Sequence, residues 1–173
     1  MEIRALDQTA YAGKSFTMRY TTTRYLDIRR SGEGFVFETK PFAAPVEMCF
    51  EDRFFNEWLD EPVAYGAFEA DYLLGYVEGF LETWNNRYRI SNICVFAEEA
   101  RRCGIGSRLM EVILRAARDS GARMAVLETQ SCNEKAIAFY RKHGFDLIGF
   151  DLFAYTDTDP QRHEIRIEMG KFL

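Results

Sequence analysis

Polar and apolar positions are most regular from residue 62 onward, where they lay out a succession of elements. Residues 63–68 and 72–77 are apolar-rich stretches on either side of Glu69-Ala70-Asp71, which predicts a hairpin. The second stretch can run on to Trp84, and Asn85-Asn86 then turns the chain into a strand over 88–96. Ile105, Leu109, Val112, Ile113 and Ala116 recur at helical spacing on one face, and Ser120-Gly121 supplies a C-cap. Residues 124–127 form a short apolar run of the kind found in buried parallel strands. Ser131-Cys132-Asn133-Glu134 fits a capping box that opens a helix ending at His143-Gly144. Residues 147–155 and 164–172 read as closing strands around the polar turn 156–160. The predicted order is β-β-β-α-β-α-β-β, an α/β (α+β) fold with a mixed central sheet flanked by helices.

Ahead of this core the pattern is weaker. Residues 25–29 and 35–39 read as strands around Ser31-Gly32-Glu33-Gly34, an amino-terminal hairpin extension. With 173 residues and 47% apolar content, the chain is expected to be one domain, with a variable segment at 1–61 and a core at 62–173. Met1-Glu2-Ile3-Arg4 opens without an apolar run, and no stretch approaches the roughly 18 apolar residues of a membrane span. A soluble cytoplasmic protein with no membrane partner is the expectation. Cys49, Cys94, Cys103 and Cys132 are scattered, and with only His143 and His163 beside them no metal site is expected.

The net charge of −5 argues against a nucleic-acid partner. Between 41 and 70 it is concentrated in Glu47, Glu51, Asp52, Glu57, Asp60, Glu61 and Glu69 against Arg53 alone. Two readings stay open: a solvated acidic loop, or a surface that attracts a cationic substrate. The sequence leaves oligomeric state unset, and a homodimer is compatible with it.

The strongest chemical signal is Arg101-Arg102-Cys103-Gly104-Ile105-Gly106-Ser107, between the strand over 88–96 and the following helix. Glycines let the backbone approach a ligand, amides of a first helical turn point at it, and arginines add charge-assisted donors. An anion site follows. The loop lacks the G-K-[ST] ending of a P-loop and the third glycine of a dinucleotide fold. Further on stands Asn133-Glu134-Lys135-Ala136-Ile137-Ala138-Phe139-Tyr140-Arg141-Lys142-His143-Gly144-Phe145.

These two segments resemble the R/Q-x-x-G-x-G/A and N-x-x-A-x-x-x-Y-x-x-x-G-F signatures of the GNAT superfamily of N-acetyltransferases, over roughly residues 62–155. The resemblance implies acetyl-CoA as cosubstrate and a small amine as acceptor. It assigns the pantetheine arm to the main chain of Cys94, Val95 and Phe96, and the pyrophosphate to residues 101–107. It makes Tyr140 the acid that protonates the departing thiolate, and it lets Asn133 touch the cofactor or the tyrosine, although an asparagine at a helix start also serves as a cap. An alkyl ammonium, with pKa about 10, must lose a proton before it attacks. Glu128, twelve residues before Tyr140 and next to an apolar strand, is the expected base. Glu82, Glu78 and a water relay are rivals. Cys103 and Cys132 have no neighbouring group in the sequence that would make them nucleophiles.

A finer resemblance lies in Thr83-Trp84-Asn85-Asn86-Arg87, Leu127-Glu128-Thr129-Gln130-Ser131-Cys132-Asn133 and Gly149-Phe150-Asp151-Leu152-Phe153-Ala154-Tyr155, which are similar to streptothricin (nourseothricin) acetyltransferases. That family acetylates an amino group on the β-lysine moiety of the antibiotic, and Glu82, Trp84, Asn92 and Glu128 become candidate acceptor contacts. Members often carry an acid where this chain has Ser91-Asn92; if that acid helps hold or deprotonate the amine, this chain must use another group or take another acceptor. Acetylation of a protein N-terminus, a lysine or a polyamine is the alternative enzyme activity, and a non-catalytic acetyl-CoA sensor is the alternative of another class.

Overall fold

The computed structural model describes residues 1–96, 101 and 103–173. In chain order the elements are β1 (Glu2–Ala5), α1 (Gln8–Tyr11), β2 (Ser15–Ser31), β3 (Gly34–Arg53), β4 (Val63–Glu69), β5 (Tyr72–Glu82), β6 (Arg87–Val95), α2 (Ile105–Asp119), β7 (Met124–Gln130), α3 (Glu134–Lys142), β8 (Asp146–Asp151), α4 (Asp159–Arg162) and β9 (Arg166–Phe172). From β4 onward this is the predicted order, a mixed α/β fold of mostly antiparallel strands with flanking helices. The additions are β1, α1 and the single turn of α4, which occupies part of the polar turn expected at 156–160.

The amino-terminal hairpin turns at Gly32, whose φ of 59° suits glycine. Its strands are far longer than the pattern predicted, and they form a separate two-stranded sheet. No residue of β3 is buried, so the strand carries no apolar alternation that would reveal its length. Glu47, Glu51 and Asp52 stand on β3, whereas Glu57, Asp60 and Glu61 fall in the turns before β4.

The chain forms two compact units. The first comprises Met1–Arg19, Cys49–Leu127 and Lys171–Leu173, and the second Tyr20–Met48 and Glu128–Gly170. In the first, strands follow the order β1-β4-β5-β6-β7, antiparallel except for the parallel pair β6–β7. Phe16, Phe54, Tyr76 and Phe96 meet mostly edge to face in its aromatic cluster. Helix α2 packs on β4, β5 and β6. Its buried face is Ile105, Leu109, Met110, Ile113, Leu114 and Ala117. The expected Val112 and Ala116 are only half-buried, because the helix is rotated toward the Met110–Leu114 side when it lies on the sheet.

In the second unit β8 and β9 pair antiparallel from Asp146↔Gly170 to Asp151↔Arg166. The capping box expected at Ser131 is replaced by a single cap: Asn133 begins α3, and its side-chain oxygen accepts from the Ala136 amide at 3.2 Å. Ser131 is fully buried and donates to the His163 carbonyl at 2.7 Å, while Glu134 accepts from the Thr23 hydroxyl at 3.0 Å. Both side chains thus serve tertiary contacts. Among the described residues no helix is long and apolar enough to cross a membrane.

Candidate active site

Strand β6 has two kinds of edge. Against β5 it pairs along its whole length, from Arg87↔Glu82 to Val95↔Gly75. Against β7 the parallel pairing covers only Arg87–Arg89 with Met124–Val126, so from Ile90 onward the described β6 pairs with β5 alone. The Phe96 amide donates to the Leu74 carbonyl at 2.9 Å, which turns the main chain of Phe96, and by alternation that of Cys94, toward β5. Alternation then turns Val95 and Ile93 to the opposite edge. Arg101 Nε donates to the Val95 carbonyl there at 3.2 Å. Of the three residues expected to hold a pantetheine arm, Val95 presents its main chain on that edge. Ile93, which sequence reading did not single out, presents its own two residues earlier.

The edge leads to the start of α2. Gly104 is the N-cap, with φ 81°, a left-handed value that asks for glycine. No side chain caps this end, and the amides of Ile105 and Gly106 lie in the first turn, where helix geometry provides no i−4 carbonyl. Ile105 is buried, Gly106 and Ser107 are half-buried, and Cys103 is exposed. A second guanidinium nitrogen of Arg101 donates to the Arg19 carbonyl of β2 at 2.7 Å. Arg102 lies outside the described residues. First-turn amides, a left-handed glycine and an anchored guanidinium form an anion cradle beside an extended main-chain edge.

The carboxylates of the first unit differ sharply. Glu82 is gripped by Arg89 and Arg87 and accepts from Asn85 at 3.0 Å. Burial pushes its pKa up, but the bonds from Arg89, Asn85 and Arg87 outweigh that and hold it below the usual carboxylate range. Trp84 is 83% exposed. Glu78 is fully buried. Its Oε1 accepts from the Phe55 amide at 2.9 Å, and its Oε2 accepts from the hydroxyls of Tyr76 and Ser91, each at 3.3 Å. Burial pushes its pKa up to about 6, the three donors offset part of this, and neighbouring Asp52 adds to the rise. Asp52 is half-buried and reaches Asn92: the Asn92 amide donates to Oδ2 at 3.0 Å, while Asn56 Nδ2 and the Arg53 amide donate to Oδ1 at 2.8 and 2.7 Å. An acid of β3 thus stands beside Asn92. Only the acidic bias of 41–70 hinted at Asp52.

Ser91 sits where the β5–β6 register slips: Glu78 pairs with Asn92 but Gly79 with Ile90. It is the extra residue of a β-bulge, a device that re-aims a side chain, and its hydroxyl lies 3.3 Å from the Glu78 carbonyl as well as from Oε2.

In the second unit Glu128 lies on β7, 3.9 Å from Arg166, which also reaches Asp151 at 3.6 Å. Tyr140 is buried on α3 with its ring against Phe139 and Phe145. Cys132 is buried and touches the Tyr20 hydroxyl at 3.5 Å, and burial raises its thiol pKa, which disfavours the thiolate. Cys94 is likewise buried, with its thiol pushed up to about 11. Among the described residues no three His, Cys, Asp or Glu side chains are grouped to hold a metal ion.

A family model for the acetyltransferase (GNAT) family matches residues 29–145. A streptothricin acetyltransferase from Streptomyces lavendulae is 32% identical over 161 residues, covering 87% of this chain and 84% of that protein. Among solved structures, a nourseothricin acetyltransferase superposes with a TM-score of 0.77 at 26% identity, covering 99% of this chain and 97% of the other. A putative streptothricin acetyltransferase from Bacillus anthracis, solved in complex with acetyl coenzyme A, superposes at 0.73 with 23% identity and the same coverage.

Proposed function

The chain belongs to the acetyltransferase (GNAT) family, and from that premise we propose that it transfers the acetyl group of acetyl-CoA to the β-lysine amino group of streptothricin. The observation that carries the acceptor is the likeness to a streptothricin acetyltransferase over most of both chains. The cradle supports the donor. The first-turn amides of α2 and Arg101 suit the pyrophosphate, and the main chain of Val95 and Ile93 suits the amide-bearing pantetheine arm, which would add to β6 as an extended strand does. In the first unit the carboxylates of Asp52 and Glu78 suit an acceptor that carries ammonium groups.

Tyr140 would donate a proton to the departing thiolate. A phenol stays protonated at neutral pH, so it is ready as the C–S bond breaks. Glu128, whose charge is shared with Arg166, would hold the acceptor's cationic body.

Purified protein, acetyl-CoA and streptothricin should release CoA thiol and yield the monoacetylated antibiotic by mass spectrometry. A peptide N-terminus, a lysine peptide and spermidine serve as competing acceptors. Release of CoA with one of those and not with streptothricin would overturn the acceptor. Tyr140→Phe should lower kcat about 100-fold while leaving acetyl-CoA affinity, read by calorimetry, nearly unchanged.

A further inference from the structure

We propose that the acceptor ammonium is received and deprotonated at the β6 bulge, with Asp52 holding it beside Asn92 and Ser91 passing its proton to the buried carboxylate of Glu78. The inference rests on the acetyltransferase reading above and assigns the base within it.

Position comes first. An arm laid along β6 from the α2 cradle runs from Val95 back toward Asn92 and Ser91. Those four steps cover about 13 Å at about 3.3 Å per residue. An arm spanning that length brings the thioester to the bulge, where Ser91 is turned onto Glu78 and Asn92 onto Asp52.

Charge comes second. Glu82 spends its charge on two arginines and Glu128 shares Arg166. Glu78 and Asp52 have no lysine or arginine side chain paired with them among the described residues. Their partners are neutral donors: the Phe55 and Arg53 amides, Asn56, Asn92, Ser91 and Tyr76. An arriving ammonium would be the cation they lack.

Basicity comes third. A carboxylate buried with only neutral donors pays for its charge and gains by taking a proton, and Glu78 titrates near 6. The titratable groups facing it are Asp52 on β3 and Tyr76 on β5; from β6 comes the Ser91 hydroxyl, and from the turn after β3 the Phe55 amide.

One ammonium proton moves to Ser91 Oγ as the Ser91 proton moves to Glu78 Oε2, leaving a neutral amine and a neutral Glu78. The amine lone pair forms the C–N bond to the thioester carbon, and the C–S bond breaks. The second nitrogen proton replaces the one given to the thiolate sulfur, and Glu78 returns its proton to solvent after product leaves. Asp52 touches the substrate; Glu78 acts through Ser91 and is the positioning and proton-holding residue.

The test is the pH dependence of kcat and KM for wild type, Glu78→Gln, Ser91→Ala, Asp52→Asn and Glu128→Gln, with the amine that wild type acetylates fastest. Circular dichroism and the acetyl-CoA Kd check that each variant is folded. Wild-type kcat should rise with pH through an apparent pKa near 6. Glu78→Gln should lose that limb and about 100-fold in kcat, with the acetyl-CoA Kd within about twofold. Ser91→Ala should lose about tenfold in kcat, and it carries the test if Glu78→Gln does not fold. Asp52→Asn should raise the amine KM about tenfold with a smaller change in kcat. Glu128→Gln should keep the limb. A limb that survives in Glu78→Gln, an unchanged kcat in Ser91→Ala, or a limb that vanishes only in Glu128→Gln overturns the inference and leaves the acetyltransferase reading intact. Wild-type protein that acetylates no amine overturns that reading itself.

Discussion

At its C-terminal end β6 presents main chain: the Val95 and Ile93 peptides and, past the loop, the first amides of α2. At its bulge it offers side chains: Ser91 on Glu78 and Asn92 on Asp52. In the reading proposed above, the first end takes the acetyl donor, for which peptide groups with a left-handed glycine suffice, and the second takes the amine, with carboxylates from β3 and β5. One strand would then carry a donor site fixed by backbone geometry and an acceptor site fixed by tertiary contacts.

The largest expected effect is at Gly75, opposite Val95. A Cβ there would stand 2.6 Å from the Cys94 carbonyl oxygen and 3.2 Å from the Val95 Cα, so β6 would have to move away. Gly75→Val should cost about 3 kcal/mol in urea denaturation and weaken acetyl-CoA at least tenfold, the signature of a backbone-built site. Unchanged affinity would show that the donor does not lie on this edge.

A smaller effect sharpens the acceptor end. Glu78 has a folded-state pKa of about 6, above its ordinary value of 4.5. The folded state therefore binds this proton more tightly than the unfolded chain. The resulting stabilisation is full below about 4.5 and is lost as pH rises through about 6, a change of about 2 kcal/mol. Wild-type stability measured against Glu78→Gln should fall by that amount between pH 4.5 and 7.5, and a flat difference would remove the perturbed carboxylate. The smallest expected effect is at the loop. Arg101→Ala should weaken acetyl-CoA about fivefold, about 1 kcal/mol, because the amides remain.

What the sequence made legible follows the same division. The loop from Arg101 to Ser107 could be read because a left-handed glycine at a helix start is a local demand, and the α3 segment could be read because its spacing is helical. Ser131 misled because the serine of a capping box and the serine of a buried tertiary bond look alike in sequence. The face of α2 was displaced toward Met110 and Leu114 because period alone does not say how a helix is rolled on its sheet. Asp52 could be seen only as part of a charge bias. Its meeting with Asn92, forty residues on, depends on the path of a ribbon whose second strand buries nothing and so leaves no apolar pattern.

That ribbon has an evolutionary consequence. Strand β3 has no buried residue of its own, and substitutions at exposed positions cost little. The group proposed to hold the amine would thus stand on a strand that buries no residue, whereas the proposed donor cradle is tied to strand pairing and a helix start. Rewriting the hairpin would then alter the acceptor end and leave the donor end in place.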